Sequence, residues 1–200
     1  MASSLSDRPA GVILAGGAGR RMGGADKALV RLHGRTLLSL VADRLAPQVA
    51  ALALNANGDA ARFGDTGLPV LRDELHDAGP LAGILAGMDW AAAHGYARIV
   101  TAAVDTPEFP GDLVARLVAE AGPGNGAAYA ASDRAHPTFG LWPVALRDDL
   151  RARLQAGERK LGLWAQQIGG ARVIWPRGDR DPFTNINTPE DLAQAEGNME

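Results

Sequence analysis

Between Leu14 and Leu29 the chain reads LAGGAGRRMGGADKAL, with five glycines between Gly16 and Gly24. Glycine permits positive φ and lets backbone amides come close to a ligand. Successive amides in such a loop make an anion-binding nest. Arg20, Arg21 and Lys27 add three positive charges within eight residues. Glycine and basic residues concentrated together describe a cradle for a polyphosphate. It is not a P-loop, because no Gly-Lys-Ser/Thr follows at the required spacing. Gly17, Gly19 and Gly23 give a spacing one residue longer than the dinucleotide fingerprint. The basic residues point to more charge than one pyrophosphate, as in a nucleoside triphosphate losing pyrophosphate. The competing reading is a surface loop with scattered charges.

Further on, Thr101-Ala-Ala-Val-Asp105-Thr-Pro107 ends an apolar run in a carboxylate. Mg²⁺ takes one or two protein carboxylates and completes its shell with phosphate and water, so Asp105 is the candidate ligand. A turn or helix-capping aspartate is the alternative there. Asn55 closes another apolar run, and its amide has the donor and acceptor to read a base or ribose edge. Asp73, after a third run, can accept from guanine N1–H and N2–H₂ or from a ribose hydroxyl. A turn asparagine and a solvated loop acid are the competing readings. Asn185 and Asn187 either point into the cleft or fold the turn before Thr188-Pro189-Glu190, which reads as an N-cap with proline at the first helical position. His136 either faces a pterin or phosphate or is structural.

These residues must be held by a frame, and hydrophobic periodicity supplies one. Strands are expected at 11–15, 49–54, 68–71, 97–104, 126–131, 137–143 and 172–175, and helices at 36–45, 79–94, 112–121, 147–155, 160–168 and 188–195. Strand and helix alternate over the first 120 residues, which predicts an α/β fold: a Rossmann-like three-layer α/β/α sandwich around a mostly parallel sheet, with a late antiparallel element after Gly126. Residues 1–10 are expected to be a disordered lead-in and 11–196 a single domain. Ligands of such sheets sit outside the carboxyl ends of the strands, where Gly16, Asn55, Asp73 and Asp105 all fall.

Composition narrows the function. The chain has 200 residues, no cysteine and a formal net charge of −3, which excludes thiolate chemistry and argues against a dedicated nucleic-acid binder. The stretch from Leu81 to Ala93 is too short to span a membrane. The first residues lack the apolar core of a secretory signal, so the expectation is a cytoplasmic protein.

The glycine loop resembles the signature loop of the nucleotidyltransferases. More narrowly, the chain is similar to the molybdenum cofactor guanylyltransferase family. The similarity rests on that loop together with Asn55-Ala-Asn57, Gly79-Pro-Leu-Ala-Gly83, Asp105-Thr-Pro107, His136-Pro-Thr138, Gln155-Ala-Gly-Glu-Arg159 and Asn185-Ile-Asn-Thr-Pro-Glu190. The resemblance implies transfer of GMP from GTP to the terminal phosphate of Mo-molybdopterin, with Mg²⁺ as cofactor. It implies that Leu14, Ala15, Gly16, Gly17, Arg20, Lys27, Asn55, Asp73 and Asp105 contact GTP, that Arg21, Lys27 and Asp105 are catalytic, and that Asp105 holds the metal. His136, Asn185 and Asn187 are assigned to the pterin side. Transient contacts with molybdenum-insertion and apoenzyme-delivery proteins are implied as well. A cytidylyltransferase for the same pterin, a sugar-phosphate nucleotidyltransferase and a nucleotide-binding chaperone without turnover are the rival readings.

Overall fold

A computed structural model describes residues 8–16, 26–75 and 78–197. Its core is β1 (Ala10–Leu14), five residues all buried. A strand covered on both faces reads as a continuous apolar run, and AGVIL does. The order of the seven-stranded sheet is β5 (Val70–Leu71), β4 (Leu52–Asn55), β1, β6 (Arg98–Ala103), β8 (Ala135–Pro143), β7 (Ala128–Ala131), β9 (Ala171–Ile174). The pairs β1–β4, β1–β6, β4–β5 and β7–β9 are parallel. The late antiparallel element is β8 alone, which runs opposite to both of its neighbours, β6 and β7. A register break lies between Tyr129 and Ala130, opposite the stretch from His136 to Gly140. Pro137 has no N–H for the ladder, which suits an irregular stretch there.

Two hydrophobic layers flank the sheet. On one face α1 (Leu37–Leu45) and α3 (Leu113–Ala121) bury Leu38, Val41, Leu45, Leu113 and Leu117 against Ile13, Val100 and Leu141. On the other, α2 (Pro80–Ala93), α4 (Arg147–Gln155) and α5 (Leu161–Gln167) bury Ile84, Met88, Leu150 and Trp164 against Val12, Ile99 and Trp142. Both layers follow from helical spacing of apolar residues. Thr36 caps α1 by accepting from the Ser39 amide at 3.1 Å, and Pro80 opens α2. Helix α2 lies tight on the sheet because it carries glycines. A Cβ at Gly87 would stand 2.8 Å from Val12 Cγ2, and one at Gly83 would overlap Asn55 Oδ1 and stand 2.9 Å from Leu14 Cδ2.

Two features depart from the expected frame. A two-strand hairpin, β2 (Arg31–Leu32) and β3 (Arg35–Thr36), turns at His33 and Gly34 with φ of 49° and 76°. Positive φ at both central residues is the hairpin turn that matches strand twist. Helix α6 (Pro189–Gly197) packs Ala195 into a small cluster with Leu32 of the hairpin, Leu37 and Ile186. Residues 8–10, expected within the lead-in, are built into the fold. Ala10 is fully buried as the first residue of β1, Arg8 Nη2 donates to Pro47 O at 2.6 Å, and Ala50 N donates to Pro9 O at 2.9 Å. Residues 1–7 lie outside the described residues. No helix among the described residues is long and apolar enough to cross a membrane.

Candidate active site

In chain order the sheet grows from β1 to β4 and β5 on one side, then returns to β6 on the other. β1 is therefore the switch strand, and the crevice beyond its carboxyl end is where an open α/β sheet binds ligand. Leu14 lies level with Asn55 of β4 and Ala103 of β6. Ala15 N donates to Asn55 O at 2.9 Å and Val104 N to Leu14 O at 3.1 Å. Three strand ends are thus stitched together at one rim, and Leu14, Ala15 and Gly16 leave it towards the glycine loop. Gly17, Arg20 and Arg21 lie outside the described residues.

The chain returns at Asp26, whose carboxylate accepts from the Ala28 amide at 3.1 Å and starts the 3-10 turn Lys27–Leu29. That turn aims Lys27 back across the rim. Its ammonium donates to Asp105 Oδ2 at 2.9 Å and to Asn187 Oδ1. The two side chains are only 17% and 19% exposed, so this pair is shielded rather than a solvated surface contact. Thr106 Oγ1, with one proton to give, lies 3.2 Å from Asp105 Oδ1 and 3.1 Å from Asn185 Oδ1, and Ile186 N donates to Asp105 O at 2.7 Å. Lysine, carboxylate, hydroxyl and two amides converge from segments 78 and 160 residues apart in sequence.

Asn187 owes its place to the cap of α6. Asp191 Oδ2 accepts from Asn187 N at 2.8 Å and Thr188 N at 2.9 Å, while Thr188 Oγ1 accepts from Asp191 N at 3.1 Å. This is a capping box with aspartate in the third helical position. The Asn187 amide, with the Thr188 contacts behind it, holds the Asp191 carboxyl below its usual value.

On the other side of β1 stands a second cluster. Asn55 Nδ2 donates to Asp73 Oδ1 at 2.8 Å, and Asn57 Nδ2 to Asp73 Oδ2 at 2.6 Å. Asp73 N returns a hydrogen bond to Asn57 Oδ1 at 3.0 Å. Asn55 is 2% exposed and its carbonyl faces Gly16 and Gly83. Asn55 therefore orients Asp73 and shapes the floor, and Asp73 is the group left at the edge of the cleft. The competing loop-acid reading of Asp73 does not fit a carboxylate gripped at both oxygens. In the sequence Asn57 and Gly83 carry no signal beyond their place in the Asn55-Ala-Asn57 and Gly79-Pro-Leu-Ala-Gly83 motifs.

His136 lies apart from Lys27, near the start of β8 and opposite Ala130 of β7. Its Nε2 is 2.8 Å from Ser132 Oγ and 3.5 Å from Asp181 Oδ2, and Ser132 Oγ donates to Asp181 Oδ2 at 3.0 Å. A hydroxyl has one proton to give. With that proton on Asp181, His136 Nε2–H is the donor to Ser132. This order is the reverse of a hydrolytic triad, in which the imidazole accepts from the serine. The ring stacks on Phe183 at 4.8 Å. Burial pushes the His136 pKa down, partly offset by Asp181 and aided by Arg134. For Asp181 burial opposes ionisation, but the Phe183 amide, the Ser132 hydroxyl, His136 and Arg134 outweigh it, and its pKa is lowered. Neither Ser132 nor Asp181 carries a motif signal. Residues 181–187 thus form a strap running from His136 to Lys27.

The donor set suits a hard cation in one respect. Asp105 is a single carboxylate among hydroxyl and amide oxygens, as Mg²⁺ prefers when phosphates supply the rest. Among the described residues no group of three His, Cys, Asp or Glu could hold a metal by itself.

An α/β sheet whose switch-point rim carries a shielded lysine–aspartate pair on one side and a gripped carboxylate on the other has the layout of a nucleotide-binding crevice. The comparisons agree. A family profile described as the MobA-like NTP transferase domain matches residues 11–169. A molybdenum cofactor guanylyltransferase of Cereibacter sphaeroides is 57% identical over 186 residues, 93% of this chain and 94% of that protein. The solved molybdopterin-guanine dinucleotide biosynthesis protein A of Archaeoglobus fulgidus has a TM-score of 0.72 at 26% identity, covering 94% of this chain and 97% of that one. A Mycobacterium tuberculosis protein solved in complex with manganese shares the fold, with a TM-score of 0.66 at 18% identity over 96% of this chain and 100% of that one. The chain belongs to the MobA-like NTP transferase family.

Proposed function

We infer that this enzyme transfers GMP from GTP to the terminal phosphate of Mo-molybdopterin, forming molybdopterin guanine dinucleotide and releasing pyrophosphate. The observation that carries the reading is Lys27 meeting Asp105 and Asn187 at the carboxyl end of the switch strand, on a chain 57% identical to a molybdenum cofactor guanylyltransferase.

The attacking phosphate is already an anion, so the step needs little base catalysis. Positioning and charge neutralisation carry it. Loop amides from Gly16 and Gly17 onward, with Arg20, Arg21 and Lys27, neutralise the triphosphate and the leaving pyrophosphate, while Leu14 and Ala15 contact GTP from the strand end. Asp105 would hold Mg²⁺, with Thr106, Asn185 and Asn187 as neighbouring oxygens. A bound Mg²⁺ supplies charge neutralisation at phosphate oxygens. The manganese complex of a fold neighbour supports divalent-metal use. Asp73, oriented by Asn55 and Asn57, accepts from the guanine N1–H and N2–H₂ edge. The strap from Asp181 to Asn187, with His136 behind it, lines the pterin side. Transient contacts with molybdenum-insertion and apoenzyme-delivery proteins belong to the same reading.

The test is product analysis of the protein mixed with Mg²⁺, Mo-molybdopterin and each of GTP, CTP and ATP. The expected result is dinucleotide and stoichiometric pyrophosphate with GTP, and far less with the others. Preference for CTP would move the enzyme to the cytidylyl branch, and GTP binding without pyrophosphate would make it a carrier.

A further inference from the structure

Arg62 belongs to none of the residues considered so far, yet it stands between the two clusters. It lies on the 3-10 segment Ala60–Thr66 that connects β4 to β5. Its guanidinium sits 4.3 Å from the ring centroid of buried Phe63, which fixes the plane of the fork. From there Nε donates to Asp26 Oδ2 at 2.6 Å, Nη2 to Asn57 O at 2.6 Å, and Nη1 to Asp59 O.

Each of these acceptors leads elsewhere. Asp26 caps the turn that aims Lys27 at Asp105. Asn57 grips both the carboxylate and the amide of Asp73. One planar group therefore ties the start of the phosphate-side turn to the residue that orients the base-side acid. A lysine cannot replace it, since an ammonium on a flexible stem has no planar fork to fill three acceptors in fixed directions. The Arg62 and Asp26 side chains are 28% and 24% exposed. Partly exposed pairs contribute little to stability, so placement is a better account of the arrangement than global folding energy.

We propose that Arg62 is a positioning residue that couples Asp73 to Lys27, so that selection of the base and seating of the triphosphate depend on each other. The proposal rests on the assignment of Asp73 to the base and Lys27 to the phosphates.

The test compares wild type, Arg62→Ala and Arg62→Lys in the full-length protein. Steady-state kinetics with GTP and ATP are read beside calorimetric binding of Mg²⁺ tripolyphosphate. Losing a charge-assisted hydrogen-bond partner weakens a site by about tenfold. Arg62→Ala should lower kcat/KM for GTP by about that factor, shrink the GTP-over-ATP preference, and weaken tripolyphosphate binding. Arg62→Lys should keep the wild-type thermal midpoint without keeping the preference. Adding Arg62→Ala to Asp73→Asn should remove no further preference, because the two act on one route. An unchanged GTP-over-ATP ratio in Arg62→Ala, or full recovery in Arg62→Lys, overturns the coupling. A wild type that binds no GTP instead defeats the reaction proposed above, so the two failures are told apart.

Discussion

Lys27 and Asp105 illustrate what a single residue can be asked to show. The pair is shielded and hydrogen-bonded at 2.9 Å, so either substitution removes one partner from a prepared site. Removing one such electrostatic contact costs about 10²–10³ in kcat, or roughly 3–4 kcal/mol. Lys27→Ala and Asp105→Asn should each lose turnover by that factor while circular dichroism stays native. Asp105 and Asn55 were legible because each closes an apolar run in a polar residue at a strand end, where α/β folds bind ligands. Lys27 was legible from its place in a glycine-rich basic stretch. Ser132 and Asp181 were not, because a polar residue in a turn or strap carries no periodic signal. They matter only through a contact spanning 49 residues.

At the scale of elements, the glycines of α2 set how close the helix lies to the site. Gly83 faces Asn55 Oδ1 and Leu14 Cδ2 with no room for a methyl group. Gly83→Ala must displace helix or floor. Overpacking of this kind costs about 1–3 kcal/mol, so the thermal midpoint should fall and KM for GTP should rise in steady-state assays. The cap of α6 makes a second case. Asp191→Ala removes a side chain that accepts from Asn187 and Thr188. A lost cap costs about 1 kcal/mol, and freeing Asn187 should reduce turnover more than stability. The start of α6 at Thr188-Pro189 was readable from capping chemistry. The β2–β3 hairpin was not, because two-residue strands show no alternation and His33 is an unusual residue for positive φ.

At the scale of the whole fold, a mostly parallel sheet with a late antiparallel element was legible in the alternation of strand and helix patterns over the first 120 residues and the paired strands after Gly126. Which strand runs antiparallel to two neighbours was not. Pairing of β8 between β6 and β7 is a long-range choice. The polar network at that end of the sheet gives the fold a pH dependence. His136 has a lowered folded pKa because burial penalises its cation. Below its ordinary value of about 6.5 the unfolded chain binds this proton more readily than the folded one, so stability falls as pH drops and levels off below the folded pKa. Asp181, with a lowered pKa, loses its contribution in a lower window, as pH falls through the carboxylate range. Chemical denaturation from pH 7.5 to 5 should show falling stability, and His136→Gln should flatten that slope. A slope unchanged in His136→Gln would place the titration elsewhere.

The most direct measurement is a crystal structure with GTP and Mg²⁺ bound. The account predicts the triphosphate between the Leu14–Gly16 strand end and Lys27, the metal on Asp105, and the guanine edge on Asp73. A triphosphate seated on another face of the sheet, or a base resting against His136 with Asp73 untouched, would contradict it.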